Sequence, residues 1–359
     1  MTETRAADTW ASASLTLPSP DYLSPSGVTC PAPGSCVVTG RNYSTRGYFA
    51  ATQAGTTWTI TALPLPTEVA QQFDVSAPSC PAVGRCVVVL AYYDNASNEM
   101  QSVAETLAGG TWTTTTLPVP PDTDSGHFAI PAAVSCATPT WCAYVGSYNN
   151  STTGGALYGG TLVDGSWTAT TIDPSDTVGG DLASISCPTI GTCTAVGRNS
   201  SNASNAWKPL QVTLSSGTWS GGSLPIPPEV QNESLAAVSC LSVDRCVAVG
   251  VQTLAEGGTH AIVDTLGGGS GWSSFVLADP VGGQLGELLS MSCQPATCYA
   301  VGDARTADGG LKPFSSAIAA PEVEVRTRSL RRVLTSIGQS RKGQAPGMIR
   351  LLSTRSARP

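Results

Sequence analysis

Lysine is almost missing from this chain: Lys208, Lys312 and Lys342 are the only three among 359 residues. Charged residues make up 12%, about half the share of an ordinary soluble domain. Histidine is nearly absent too, represented by His127 and His260. Two imidazoles leave little for a histidine-rich metal centre or for Ser/His/Asp chemistry. His127 follows Ser125-Gly126 in a long loop, and His260 sits in an apolar, strand-like stretch. No run reaches eighteen apolar residues, which excludes a transmembrane helix. No nucleophile elbow, P-loop or H-E-x-x-H motif occurs, and no cofactor or metal is expected. Wholesale disorder is excluded as well, because 41% hydrophobic residues are enough for a large core.

Charge is distributed unevenly. Residues 1–320 carry a net −14, and residues 321–359 a net +7. An acidic body lacks the basic footprint that phosphate binding requires, so nucleic acid is not an expected partner.

Twelve cysteines fall into six couples: Cys30/Cys36, Cys80/Cys86, Cys136/Cys142, Cys187/Cys193, Cys240/Cys246 and Cys293/Cys298. The first cysteines are 50 to 56 residues apart, a period that signals a repeat array. Short apolar runs flank each couple, such as AAVSC before and CVAVG after. A polar stretch and an alternating strand follow, then a G-x-[TS]-W-like turn ending at Trp58, Trp112, Trp167, Trp219 or Trp272. A last short strand leads into LPLP, LPVP or LPIP. Four short strands per unit of about 50 residues are the proportions of a propeller blade.

The expected fold is all-β: a six-bladed β-propeller of four-stranded antiparallel blades spanning 10–320, with one disulfide per blade. The sixth unit has no Trp strand of its own, and one stands at the other end of the chain, at Trp10. Residues 10–19 are therefore expected to close the ring as the outer strand of the last blade, removing open edges. An open array of six sheets is the alternative. Residues 1–9 are expected to be flexible. The basic tail, 321–359, is expected to be disordered or partly helical, with Leu330, Val333, Leu334 and Ile337 on one stripe.

A couple separated by four or five residues suits two strands joined by a tight turn, with the sulfurs facing each other. Zinc is the rival reading, but each couple would need two further ligands that the chain scarcely offers. Six disulfides imply an oxidising compartment, hence secretion or the cell surface. MTETRAADTW has no apolar core of a signal peptide. Sequons at Asn42, Asn95, Asn149, Asn150, Asn199, Asn202 and Asn232 reflect the Asn/Ser bias of surface loops more readily than glycosylation.

The G-x-[TS]-W turn resembles the end of the Asp-box hairpin of sialidase-like propellers. In residues 51–58 the Gly, Thr and Trp positions match as Gly55, Thr57 and Trp58, whereas Ala51 and Gln53 replace the Ser and Asp. The SC-x5-C-x-A-V-G combination resembles repeats in secreted proteins of high-GC Gram-positive bacteria. These resemblances imply a propeller and an extracellular location.

Blade geometry sends the disulfide turns and Trp turns to one face. The loops after the second strands and the long L-P-x-P loops go to the other, around the channel mouth. Candidate ligand-binding residues on that second face are Arg41, Asn42, Tyr43, Tyr92, Tyr93, Tyr148, Asn149, Arg198, Asn199 and Arg305. Tyr, Asn and Arg suit a hydroxyl-rich ligand, a glycan or peptide, through stacking and planar hydrogen bonding. The alternative is a sialidase-like or other glycoside hydrolase on the same face, with Arg41, Arg198 and Arg305 gripping a carboxylate. No carboxylate pair stands out for such chemistry. The chain is expected to act as a monomer, and no catalytic residue is assigned.

Overall fold

The computed structural model describes residues 2–6, 9–13 and 22–320, apart from 66–67, 127, 153, 175–178, 201–205, 268–270, 278–282 and 307–309. The expected tail, 321–359, lies outside the described residues. The fold is a six-bladed β-propeller of antiparallel sheets, and no helix occurs among the described residues.

Blade 1 runs Leu23–Ala32, Ser35–Asn42, Gly47–Ala54 and Thr57–Ala62. Blade 4 repeats it as Gly180–Thr189, Thr192–Ser200, Trp207–Ser215 and Thr218–Ser223. Blade 5 does so as Val230–Ser242, Arg245–Leu254, Thr259–Leu266 and Trp272–Val276. In blade 2 the first strand is divided into Val69–Val75 and Ser79–Ala82, ahead of Arg85–Asp94, Met100–Ala108 and Thr111–Thr116. In blade 3, Ala129–Thr138, Trp141–Asn150 and Gly154–Val163 precede a divided fourth strand, Ser166–Trp167 and Thr170–Ile172. Blade 6 has three strands among the described residues: Gly283–Cys293, Thr297–Thr306 and Leu311–Ala319.

Among the described residues no N-terminal strand pairs with blade 6, and residues 14–19 of the expected closing strand lie outside them. Thr9–Ala13 pairs with Thr2–Ala6, and Trp10 lies opposite Arg5. Residues 2–6 are thus half of a hairpin. Only two residues separate these strands, so their pairing costs far less loop-closure entropy than reaching across the chain.

Each cysteine couple bridges the first two strands of its own blade: Cys30–Cys36, Cys80–Cys86, Cys136–Cys142, Cys187–Cys193, Cys240–Cys246 and Cys293–Cys298. All twelve sulfurs are consumed and none is left for zinc. Most of the bridges are enclosed, although the turns that join their strands lie on one face. The second cysteines Cys142, Cys193, Cys246 and Cys298 are fully buried at 0% exposure, and Cys86 is buried too. Each lies on the second strand, which has a strand on either side and a neighbouring sheet against it. In blade 1, by contrast, Cys36 is half-buried and Cys30 exposed.

The recurrent glycine after the second cysteine has a steric cause. The first strand bulges opposite it, between Leu182 and Ser184 in blade 4 and between Leu235 and Ala237 in blade 5. A Cβ on Gly197 or Gly250 would sit 2.0 Å from the backbone oxygen of Asp181 or Ser234. Blade 2, with its divided first strand, carries Leu90 there instead.

Sheets pack face to face through five apolar clusters, one for each consecutive pair of blades. Both faces of a middle blade are buried. In blade 5, Cys246 and Ala248 face blade 4, while Val247 and Val249 face blade 6. A hydroxyl staple accompanies the packing. The serine before the first cysteine accepts a hydrogen bond from the backbone N–H of the next blade's first cysteine: Cys136 to Ser79 (2.8 Å), Cys187 to Ser135 (3.0 Å), Cys240 to Ser186 (2.9 Å) and Cys293 to Ser239 (3.2 Å).

Between blade 6 and blade 1 the described residues form no such cluster. Tyr299 and Val301, which repeat Val247 and Val249, are 41% and 42% exposed, and Ser292 at the staple position is exposed. Val28 is 59% exposed, whereas Val134 and Val238 at the same repeat position are 7% and 6%. Among the described residues the array therefore has one seam.

Candidate functional site

The loops sort onto two faces as the strand directions require. On one face the disulfide turn and the Trp turn touch: Gly55 N–H bonds to Gly34 O, and Asp164 N–H to Thr140 O. On the other, the loop after the second strand bonds to the entry loop of its own blade. Tyr43 N–H donates to Tyr22 O, Asn95 to Glu68, Ser151 to Asp122 and Ala255 to Glu229, all at 2.9–3.0 Å. Loops so tied can hold side chains in fixed places.

Arg41, at the end of the second strand of blade 1, makes an ion pair with Asp74 of blade 2 at 3.1 Å. Its guanidinium lies 5.1 Å from the Tyr43 ring centre. The Tyr22 and Tyr43 rings are 5.5 Å apart, tilted by 39°. Asn42 turns its side-chain oxygen back to accept from the N–H groups of Ser44 and Thr45, which fixes the loop. In blade 4, Arg198 Nε meets Asp181 Oδ2 at 2.7 Å, and its guanidinium lies 4.2 Å from the Trp207 ring centre.

Three of the candidates are enclosed. Tyr92, Tyr148 and Asn199 are buried. The Tyr148 hydroxyl sits 3.1 and 3.2 Å from the two oxygens of Asp122 and 3.2 Å from Thr171 Oγ1. The Asn150 amide also donates to Asp122, so the long entry loop of blade 3 is pinned by its acid. Asn199 Nδ2 donates to Ser223 Oγ across its own sheet. Arg41, Asn42, Tyr93, Asn149 and Arg198 are half-buried, and Tyr43 is exposed. Arg305 is exposed on the face of blade 6 that carries Tyr299 and Val301. The three arginines are thus spread over blades 1, 4 and 6.

The perturbed carboxyls are elsewhere. Glu105 is buried on the third strand of blade 2, and burial pushes its carboxyl up to about 7 despite the bond from Thr114 Oγ1. Asp264 holds the equivalent place in blade 5, and burial raises it to about 6. Burial, with the charge of Asp264, raises buried Glu233 to about 7. Burial likewise raises the Tyr48, Tyr144 and Tyr158 hydroxyls. No group of three or more His, Cys, Asp or Glu able to hold a metal occurs among the described residues.

Sequence reasoning missed Tyr22 and Trp207. Tyr22 precedes a strand rather than following one, and Trp207 is out of register with the turn tryptophans.

No protein-family model matches the chain, and no curated protein matches its sequence. Its fold is similar to solved propellers. A protein of unknown function from Dyadobacter fermentans is 9% identical with a TM-score of 0.51, over 84% of this chain and 95% of that one. A Hadza microbial sialidase is 11% identical with a TM-score of 0.51, over 82% and 65%. An α-L-arabinanase of Penicillium chrysogenum, solved with arabinobiose, is 10% identical with a TM-score of 0.50, over 82% and 93%. At such identities the likeness shows the fold alone.

Proposed function

We propose that the chain is an extracellular propeller that binds a polar ligand, a glycan, on its loop face around the channel mouth. The observation that carries this is the pair of arginine–aromatic–aspartate groups held at that face by ion pairs and loop hydrogen bonds. Exposed or half-exposed aromatics beside planar hydrogen-bonding groups fit sugars, which present C–H faces and hydroxyl edges. Six disulfides support the oxidising compartment.

Binding is favoured over hydrolysis by where the acids are. A glycoside hydrolase needs two carboxyls reaching one glycosidic bond, one of them with a raised pKa. The raised carboxyls here, Glu105, Glu233 and Asp264, are enclosed between blades. Arg41 and Arg198 are already paired with Asp74 and Asp181, so neither is a bare guanidinium awaiting a sialic-acid carboxylate. A glycan array probed with the disulfide-intact protein, with released sugar assayed on each hit, tests the reading. Binding without release supports it, and turnover of a bound glycan overturns it in favour of the hydrolase.

A further inference from the structure

Arg41 and Arg198 occupy one repeat position, five residues after the second cysteine of their blades. Blades 2, 3, 5 and 6 place Ala91, Ser147, Val251 and Asp303 there, none of which can do the same work. Each arginine contacts an aromatic ring that follows its own strand, Tyr43 or Trp207. Each also meets an aspartate six residues before a first cysteine: Asp74 before Cys80 and Asp181 before Cys187. The same three side-chain types therefore meet at two stations three blades apart, with the aspartate drawn from the next blade in the first and from the arginine's own blade in the second.

Resting on the reading above, we infer that these are two separately built subsites of like composition, each for a neutral pyranose. The ring's C–H face would lie on the aromatic, and neighbouring hydroxyls would meet the arginine and aspartate. Stacking of this kind needs a rigid ring left open to solvent, and blade 1 supplies it. Tyr22 is 70% exposed and Tyr43 42%. Tyr22 N–H donates to Ser44 Oγ, and Tyr43 N–H to Tyr22 O, so the two residues hold each other's backbone. In blade 4 the Trp207 N–H donates to Asn232 Oδ1 of blade 5, which anchors the indole's own backbone.

Charge decides between a neutral and an acidic sugar. Each guanidinium is matched by a carboxylate within 3.1 Å, so the pair has no net charge to attract an anion. The pair does offer donors and acceptors side by side, and vicinal hydroxyls both donate and accept.

Saturation-transfer difference NMR with methyl glucoside, methyl galactoside and methyl mannoside tests the stations on the full, disulfide-intact chain. At least one pyranoside is expected to bind, with transfer strongest to its ring C–H protons. Tyr43→Ala and Trp207→Ala should each remove part of the signal. The double variant should weaken affinity by about tenfold or more, with far-UV circular dichroism unchanged. Undiminished binding by a folded double variant overturns the stations but leaves a glycan site elsewhere on the loop face. Binding of acidic glycans alone on the array, with none of the three pyranosides, overturns the neutral-sugar assignment only. No binding to any glycan overturns both this inference and the function proposed above.

Discussion

Ser135 Oγ in blade 3 accepts a 3.0 Å hydrogen bond from the backbone N–H of Cys187 in blade 4. That one contact joins the two signals that recur through the chain, the S-C dipeptide and the disulfide. It also supplies an internal control. Ser135→Ala leaves a partly buried N–H without its acceptor and should lower stability by about 1–2 kcal/mol. Ser292→Ala, at the exposed equivalent in blade 6, should leave the melting temperature unchanged. Thermal unfolding of both variants checks this, and equal losses would remove the staple's significance.

Glu105 gives a pH dependence with a definite sign. Its carboxyl is held at about 7 in the fold, above the ordinary carboxylate value of 4.5. The neutral form is favoured by folding, so this contribution is fully present below pH 4.5. It is lost as pH rises towards 7, by up to about 3 kcal/mol. Asp264 and Glu233 act in the same direction. The melting temperature should therefore fall between pH 5 and pH 8, and Glu105→Gln should flatten that slope. A melting temperature that climbs across this interval would contradict the assignment.

The bridges should differ in how fast they are reduced. Cys30 is exposed beside the seam, whereas Cys187 and Cys193 are buried between blades. Thiolate or phosphine attack requires access to sulfur, so graded reduction followed by alkylation should label Cys30 and Cys36 first. Replacing Cys187 and Cys193 together by serine should cost about 2 kcal/mol. Peptide mapping that found bridges between repeats would refute the pairing.

Val249 and Val301 are the same residue at the same repeat position, one fully buried and one 42% exposed. Val249→Lys buries an unpaired charge and should prevent folding or cost several kcal/mol. Val301→Lys should change stability by less than about 0.5 kcal/mol. Comparable damage from both would mean that blades 6 and 1 meet in solution.

Cysteine spacing made the blades, their number and the two loop faces readable, because a disulfide hairpin needs a fixed turn length. How deep each sulfur lies was not readable, since Cys142 and Cys246 share the turn-like spacing of Cys36 yet are enclosed by neighbouring sheets. Individual ligand residues were less readable still. Tyr92, Tyr148 and Asn199 stand near strand ends among loop-like residues, so they read as mouth residues. In a propeller both faces of a middle sheet are covered, and alternation no longer separates inside from outside. Trp10 shares the sequence pattern of the other outer strands, and its strand, Thr9–Ala13, pairs with Thr2–Ala6 just ahead of it in the chain. The glycines after the second cysteines marked a bulge in the facing strand, a feature of two strands together that neither reveals alone.

The four stapled interfaces, from blade 2 to blade 6, each join the trailing side of one blade to the leading side of the next, so the contact has a direction and repeats. Nothing within such a contact counts blades. A gene segment encoding one more unit would enter with a leading cysteine N–H for the serine behind it and a trailing serine for the cysteine ahead. Blade number is then a property of how often the unit was copied, and internal duplication or loss can change it without inventing new chemistry.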